Sequence, residues 1–94
     1  IKVKVMVVLN LVSIFKEREM IFSIDEGTTI KEFIDVLLEK YGADLEKRIY
    51  TDKEKGQLNL NLYLNGKHIH FLSGLDTVIE DGDTLLFIPF AAGG

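Results

Sequence analysis

Residues 29–41 have the sequence TIKEFIDVLLEKY, in which the apolar positions recur with the period of an α-helix. Thr29 and Glu32, three residues apart, form a capping box, because each side chain can accept a hydrogen bond from a backbone N–H that the first turn leaves unpaired. Gly42 can supply the left-handed conformation that commonly ends a helix. One amphipathic helix is therefore predicted from Thr29 to Tyr41. Its apolar stripe consists of Ile30, Phe33, Ile34, Leu37, Leu38 and Tyr41.

The sequences before and after this helix alternate apolar and polar residues with period two, which indicates half-buried β-strands. Asn65-Gly66 is typical of a two-residue type I′ hairpin turn, because both of its positions need a positive φ. A short helical turn is predicted at residues 44–49 and a tight turn at residues 80–83, while Pro89 ends the last strand. The predicted strands are residues 1–11, 20–24, 58–64, 67–72 and 84–88.

This order of elements, ββαβββ, predicts an α+β fold in which a mixed sheet carries one main helix. A hairpin, a crossing helix and a last strand that returns beside the first make the β-grasp, or ubiquitin-like, arrangement. We therefore expect the first and last strands to be adjacent and parallel. The β-grasp domain is predicted to span residues 1–89, followed at residues 90–94 by a flexible C-terminal tail that ends in Gly-Gly.

Length and composition exclude several classes of protein. A chain of 94 residues has room for one domain. It has no cysteine, which excludes disulfides, thiolate metal sites and cysteine nucleophiles and suits a reducing compartment. The formal net charge of −4 argues against a nucleic-acid partner, and no apolar run reaches the roughly 20 residues that cross a bilayer. We therefore expect a cytoplasmic protein that docks on other proteins rather than on nucleic acid or a membrane.

Side chains that could support catalysis or bind a metal ion are few. His68 and His70 lie two residues apart on a predicted strand and could bind a metal ion as a pair, but no residue nearby in the sequence completes a tetrahedral set. A solvated strand face is the better interpretation. Glu80, Asp81 and Asp83 do not follow the ligand spacing of a calcium loop, and a turn before a strand explains them. The sequence therefore predicts no bound metal, no bound cofactor and no side-chain active site.

The C-terminal tail, FAAGG at residues 90–94, is the part of the chain that could carry chemistry. Gly93 and Gly94 are small and conformationally free, so the terminal carboxylate of Gly94 can enter a narrow channel. Fully extended, residues 89–94 would span about 20 Å, which is enough to reach inside a partner while the folded domain stays outside. A carboxylate is a poor electrophile, but adenylation would make it a mixed anhydride. Sulfur transfer could then give a thiocarboxylate, or an amine could give an amide.

The motifs of the second half resemble those of a known family. They are Asn65-Gly66, LSGLDT at residues 72–77, DGD at residues 81–83 and FIPFAAGG at residues 87–94. Together they resemble the MoaD/ThiS family of ubiquitin-like sulfur carriers, and most closely the small subunit of molybdopterin synthase. The resemblance covers essentially the whole chain. Phe90 departs from the pattern, because many relatives carry a proline or a small residue there.

The resemblance implies a function for Gly94. An ATP-using, ubiquitin-activating-like enzyme would adenylate this terminus, which would then be converted to a thiocarboxylate. As a non-catalytic subunit, the chain would deliver the sulfur inside the large subunit of molybdopterin synthase, where the dithiolene of the molybdenum or tungsten cofactor is made. The catalytic residues of that reaction would belong to the partner.

Three other functions share the same tail and stay open. The chain could be a sulfur carrier for tRNA thiolation or thiamine, although the charged segment at residues 43–57 argues against the thiamine branch. It could be a ubiquitin-like modifier that is attached through Gly94 to lysines of target proteins. It could also be a β-grasp interaction module whose terminal glycines are incidental.

A cluster of apolar residues is predicted on the outer face of the sheet. By strand phase Met6 and Val8 point away from the core, and Leu86 and Ile88 join them if the last strand lies beside the first, with Tyr63 close by. A contiguous apolar cluster beside a reactive tail is typical of an interface, unless a second copy of the chain or the 10–18 loop covers it. The predicted partner-binding residues are Met6, Val8, Tyr63, Leu86 and Ile88, with Phe90, Ala91, Ala92 and Gly93 of the tail.

Overall fold

The order of helices and strands follows the predicted pattern, with short additions between the main elements. The structure is a computed structural model that describes residues 1–90. The elements are β1 (Lys2–Val7), α1 (Leu11–Phe15), β2 (Glu19–Ser23), α2 (Ile30–Tyr41), α3 (Ala43–Ile49), β3 (Tyr50–Asp52), β4 (Gln57–Leu58), β5 (Leu60–Leu64), β6 (Lys67–His68), two 3₁₀ turns (Ile69–Phe71 and Gly74–Asp76) and β7 (Asp83–Pro89).

The strands that the structure describes form a main sheet in the order β2-β1-β7-β5-β6, and β3 pairs with β4 in a separate small sheet. The pairing of β1 with β7 is parallel, with Val5 opposite Leu85, whereas the other neighbours in the main sheet are antiparallel. The adjacent, parallel first and last strands confirm the predicted β-grasp fold. The last strand therefore occupies the centre of the sheet.

Helix α2 packs against one face of the sheet and has the predicted termini. The Thr29 backbone N–H donates to Glu32 Oε1 at 2.9 Å, and the Glu32 backbone N–H donates to Thr29 Oγ1 at 3.2 Å. Gly42 follows the helix with a positive φ of 80°, which favours glycine, but its ψ of −159° differs from the predicted left-handed helical conformation. Each large apolar side chain that the helix buries contributes about 1.5–3 kcal/mol. The fully buried ones are Ile30, Phe33, Ile34 and Leu37.

The first strand is shorter than predicted, because it ends at Val7 rather than at residue 11. Leu9 has a φ of 55° and is 68% exposed, and Leu11–Phe15 forms helix α1. Leu11 and Phe15 are both buried, and their spacing of four residues places them on one helical face. The alternating apolar pattern of residues 1–11 thus continues past the end of β1 to the first residue of α1. The strand prediction is therefore wrong beyond Val7.

The strand predicted at residues 67–72 is also wrong in its second half, because β6 ends at His68 and a 3₁₀ turn follows. The His70 backbone N–H donates to His68 Nδ1 at 3.0 Å, a local bond that competes with a strand ladder. The strand predicted at residues 58–64 is divided, since Asn59 N–H donates to the Ile49 carbonyl at 2.7 Å instead of joining the sheet. The helical turn predicted at residues 44–49 is confirmed as α3.

Candidate functional site: an outer sheet face beside the tail

The outer face of the sheet carries an apolar row that crosses its central strands. Met6 on β1 lies opposite Leu86 on β7, and Leu86 lies opposite Tyr63 on β5. All of these side chains are partly exposed, whereas their sequence neighbours Val7 and Phe87 point to the other face and are buried. The period of two in each strand produces this separation. The structure therefore brings three of the predicted partner-binding residues into direct register.

Ile88 and Val8 lie next to this row, toward the tail. Ile88 is partly exposed, lies opposite Asn61 of β5 and is two residues beyond Leu86, which places it on the same face. Val8 follows the last residue of β1 and is also partly exposed. We call Met6, Val8, Tyr63, Leu86 and Ile88 the outer-face cluster.

The tail begins where β7 ends. Pro89 is the last residue of β7 and lies opposite Leu60, and Phe90, which follows it, is 50% exposed. Ala91, Ala92, Gly93 and Gly94 lie outside the described residues, so their predicted roles and the predicted flexibility of the tail stay predictions. Because Ile88 precedes Phe90 by two residues, the outer-face cluster extends to the point from which the tail leaves the sheet.

Polar and charged residues border the outer-face cluster. On β1, Lys4 pairs with Glu19 of β2 at 3.4 Å, and both side chains are about half exposed, so the pair contributes no more than about 1 kcal/mol. On the opposite side, His68 stacks edge-on against Tyr63 with 5.2 Å between ring centroids, and its Nε2 lies 3.0 Å from Asn61 Oδ1. An apolar centre with a polar border is the usual anatomy of a protein interface.

Ile21 is an outer-face residue that the sequence interpretation missed. It is 67% exposed and lies opposite Lys4 in the β1–β2 pair. The alternation of β2 predicts its position, because Met20 and Phe22 point to the inner face and Ile21, which lies between them, must point to the outer face. Ile21 therefore extends the apolar surface of the sheet toward the β2 edge.

The two histidines do not share a strand face as predicted. His70 lies in the 3₁₀ turn, and His68 Nδ1 already accepts the His70 backbone N–H, which occupies one of the nitrogens that a metal ion would need. The carboxylates of residues 80–83 support their turn instead. Asp83 Oδ2 accepts the Glu80 backbone N–H at 2.7 Å, and Asp81 Oδ1 accepts the Lys2 backbone N–H at 2.8 Å. Within residues 1–90 no group of three or more histidines and carboxylates is arranged to hold a metal ion.

The fold and this face define the class of protein: a ubiquitin-like β-grasp domain with an apolar sheet face next to its C-terminal tail. The chain belongs to the ThiS family, whose family model matches residues 6–94. Its relatives are sulfur carriers and ubiquitin-like modifiers. In the described part of the chain, no helix combines the length and apolar character needed to cross a membrane.

Relatives with known names and structures support this classification. The sulfur carrier protein CysO of Mycobacterium tuberculosis is 33% identical over 70 residues, which cover 72% of this chain and 74% of CysO. The small archaeal modifier protein 1 of Methanosarcina acetivorans superposes with a TM-score of 0.77 at 28% identity, covering 99% of this chain and 96% of that one. A chain of the BexX/CysO complex of Amycolatopsis orientalis superposes with a TM-score of 0.74 at 28% identity, covering 98% and 99%.

Proposed function

We propose that the chain is a sulfur carrier whose terminal glycine, Gly94, is converted to a thiocarboxylate. Membership of the ThiS family carries this proposal, because sulfur carriers are among the relatives that match the chain. The position of the outer-face cluster supports it further. A partner that binds Met6, Leu86 and Ile88 would hold the sheet where β7 ends, so that the tail enters the partner's active site.

The chemistry takes place on the tail carboxylate and requires two steps. The Gly94 carboxylate attacks the α-phosphate of ATP, forming an acyl-adenylate and releasing pyrophosphate. A sulfide equivalent, supplied by a sulfur donor, then attacks the acyl carbon, and AMP leaves. We assign both steps to a ubiquitin-activating-like enzyme in the cytoplasm. The chain itself supplies a free terminus and a surface for docking, and no catalytic side chain.

For the sulfur acceptor we propose the large subunit of molybdopterin synthase. The motifs of residues 72–77, 81–83 and 87–94 support this choice, since they resemble the small subunit of that enzyme. In the complex, the thiocarboxylate would donate sulfur to the dithiolene of the molybdenum or tungsten cofactor. The charged segment at residues 43–57, which forms α3 and the β3–β4 pair, supports an acceptor other than the thiamine precursor.

A second candidate is a ubiquitin-like protein modifier. The observation in its favour is the 27% identity, over 78 residues, to the small archaeal modifier protein 3 of Haloferax volcanii. In that function the Gly94 adenylate would react with a lysine amine of a target protein, forming an amide bond and releasing AMP. A sulfur carrier for tRNA thiolation uses the same thiocarboxylate and differs in its acceptor.

The mass of the intact chain purified from its native cells tests the proposal. We expect a species heavier by the difference between one sulfur and one oxygen, located on the last residue. Appending one alanine after Gly94 should abolish this species without changing the unfolding midpoint, because the tail lies beyond the last strand of the sheet. The absence of the heavier species in unmodified chain, together with high-mass conjugates that need Gly94, would establish the modifier function instead.

The identity of the sulfur acceptor is tested by deleting the gene that encodes this chain and measuring molybdopterin and thiolated tRNA in the same cells. We expect molybdopterin to disappear while thiolated tRNA persists, and the unmodified chain to restore molybdopterin. The chain with the appended alanine is the matched control, and we expect no restoration. Loss of thiolated tRNA with normal molybdopterin would show that the acceptor assignment is wrong while the carrier chemistry is right.

A further inference from the structure

A groove of about 450 Å³ opens beside β6. The turn at residues 53–56 forms one wall, the two 3₁₀ turns form the other, and Lys31 of α2 closes one end. The Ile30 backbone N–H donates to the Thr77 carbonyl at 2.9 Å, so the groove lies where the chain approaches the start of β7. On the opposite side of the groove, Leu58 lies two residues before Leu60, which is opposite Pro89 at the tail end of β7.

The groove has an apolar floor and a basic rim. Leu58, Ile69 and Leu75 form the floor, and all three belong to the hydrophobic core or pack against it. Lys31, Lys53 and Lys55 lie on the rim and are exposed. We call this feature the basic groove. A concave surface that combines apolar contact with a few charged groups is typical of a binding site.

Hydrogen bonds hold both walls of the basic groove in place. In the first wall, the Lys55 backbone N–H donates to Asp52 Oδ1 at 3.2 Å and the Gly56 N–H donates to the Lys53 carbonyl at 3.1 Å. In the second wall, the His70 N–H donates to His68 Nδ1 at 3.0 Å, and Thr77 Oγ1 donates to the Gly74 carbonyl at 2.7 Å. A preformed groove binds with little loss of conformational entropy.

Gly56 brings the first wall close to the floor. Its φ is +66°, which favours glycine, and a Cβ built on it would lie 3.5 Å from Leu75 Cδ1. The turn therefore rests on the same leucine that contributes to the floor. This contact joins the two walls beneath the rim lysines.

The lining of the basic groove has more lysines than carboxylates, although the chain as a whole is acidic. The chain has a formal net charge of −4, yet three lysines line the groove against two carboxylates, Glu54 and Asp76. Lys53 is partly neutralised, because it lies 3.7 Å from Asp35 and 4.0 Å from Glu46. Lys31 and Lys55 have no carboxylate partner within 4.0 Å among residues 1–90. Their charges are available to an acidic ligand.

An exposed aromatic residue adds to this surface. Phe71 is 77% exposed and belongs to the 3₁₀ turn that forms the second wall, with its ring 5.5 Å from that of His70, a groove residue. Aromatic side chains at the border of a groove are frequent anchors in protein interfaces. Phe71 therefore extends the apolar contact surface beyond the floor.

We propose that the basic groove binds an acidic segment of a partner protein that also carries aliphatic side chains. Its leucine-like side chain contacts Leu58, Ile69 and Leu75, while its carboxylates pair with Lys31 and Lys55. This inference goes beyond the sulfur-carrier function and does not depend on it. The basic groove adjoins the outer-face cluster, because His68 lines the groove and stacks against Tyr63.

The test is a titration of isotope-labelled chain with a short acetylated and amidated peptide of aspartate and leucine residues, followed by amide chemical shifts. We expect saturable shifts confined to residue 31 and residues 53–58 and 68–76. The double variant Lys31→Glu with Lys55→Glu should weaken binding about fivefold or more, since each exposed charge pair contributes modestly. The matched control, Lys40→Glu with Lys47→Glu, makes the same charge change elsewhere and should bind like the unmodified chain.

Two control peptides and one truncated chain define the chemistry. Peptides with lysine in place of aspartate, or with serine in place of leucine, should bind more weakly, and removal of Gly93 and Gly94 should leave affinity unchanged. Shifts centred on the outer-face cluster, or no saturable shift, would overturn the proposal. Tighter binding of a single-stranded RNA oligonucleotide in the groove would overturn it in favour of nucleic acid. Each of these results leaves the test of the Gly94 thiocarboxylate unaffected.

Discussion

The hydroxyl of Tyr50 is buried and has no hydrogen-bond partner among the described residues. Tyr50 is 6% exposed and belongs to the core, so its ring contributes to packing while its hydroxyl loses hydration. Burial, together with the negative charges of Asp35 and Glu46, raises the pKa of this phenol. At this position the sequence carries a polar atom that the fold does not satisfy.

Replacing Tyr50 by phenylalanine should therefore preserve or increase stability. A buried unsatisfied polar group costs about 1–3 kcal/mol, so we expect Tyr50→Phe to raise the free energy of unfolding at pH 7 by up to about 1 kcal/mol. Urea denaturation measures the change. Tyr63→Phe, at a partly exposed site, is the control and should leave the value the same. A loss of more than about 1 kcal/mol in Tyr50→Phe would show that the hydroxyl makes a stabilising contact.

The raised pKa of Tyr50 also predicts a pH dependence. The unfolded chain releases this proton near the ordinary tyrosine value of about 10, whereas the folded chain holds it to higher pH. Stability therefore falls as the pH rises above that value. We expect the decrease between about pH 9 and pH 11 to be smaller in Tyr50→Phe than in the unmodified chain. Equal decreases in the two proteins would contradict this assignment.

At the scale of the elements, the capping box at the start of α2 should contribute to the stability of the fold. Thr29→Ala removes the side chain that accepts the Glu32 backbone N–H, and a lost cap costs about 1 kcal/mol, with a range of about 0.5–2. We expect this decrease in the unfolding free energy at neutral pH. Thr29→Ser keeps the acceptor and is the matched control, expected to lie near the unmodified chain. Equal losses in both variants would exclude the cap as the cause.

Glu32 gives the same cap a pH dependence. Hydrogen bonds from the Thr29 backbone and side chain lower the pKa of Glu32 below its usual 4.5. Its contribution is therefore fully present above that pH and is lost as the pH falls through the lower value of the folded state. The neutral variant Glu32→Gln should show a shallower loss of stability in acid than the unmodified chain, whereas Glu39→Gln, further along the helix, should follow the unmodified chain. Acid titration monitored by circular dichroism measures both.

The elements that could be predicted from the sequence are those with one consistent period. Helix α2 combines a helical stripe, a capping box and a terminal glycine, and the structure confirms the stripe, the capping box and the position at which the helix ends. Residues 8–15 could not be predicted in the same way, because Leu9 and Leu11 continue the period of a strand while Leu11 and Phe15 already have the spacing of a helix. Residues 69–71 depend on a bond between His68 and the backbone of residue 70, which no periodic pattern reveals.

The outer-face cluster could be predicted because it depends on strand phase and on one topological inference. Once β7 lies beside β1, alternation places Met6 and Leu86 on the same face, and the structure shows them directly opposite each other. The basic groove could not be predicted, since its residues come from four separate segments that only the folded chain brings together. A surface built by neighbouring strands of one sheet is thus easier to predict from the sequence than a surface built by loops.

At the scale of the whole molecule, the outer-face cluster and the tail should act together. We expect Ile88→Asp, or Met6→Asp with Val8→Asp, to leave the chain folded and to weaken binding to both the activating enzyme and the sulfur-accepting subunit. A central apolar anchor commonly contributes about 2 kcal/mol or more to such an interface. Isothermal titration calorimetry measures the affinities. Ser23→Asp, on β2 away from the cluster, is the control, and unchanged affinity in the cluster variants would place the docking face elsewhere.

In the proposed function one tail visits the activating enzyme and the sulfur-accepting subunit in turn, so we expect the two complexes to exclude each other at the outer face. Adding the sulfur-accepting subunit to a preformed complex with the activating enzyme should displace the chain. Analytical ultracentrifugation distinguishes displacement from a ternary complex. A stable ternary complex that depends on the tail would contradict a shared face.

The central position of β7 has a consequence for how the chain is made. Leu85 and Phe87 are fully buried between β1 and β5, yet they are synthesised after almost everything else that the structure describes. In a nascent or prematurely terminated chain that lacks residues 83–89, the β1–β2 and β5–β6 pairs would have no strand between them. Their edges would be open and the core would be incomplete. Cellular proteases remove such open species readily. Completion of the sheet depends on residues 83–89, which directly precede the tail. A chain that ends before β7 would therefore fail to fold as well as lack the tail.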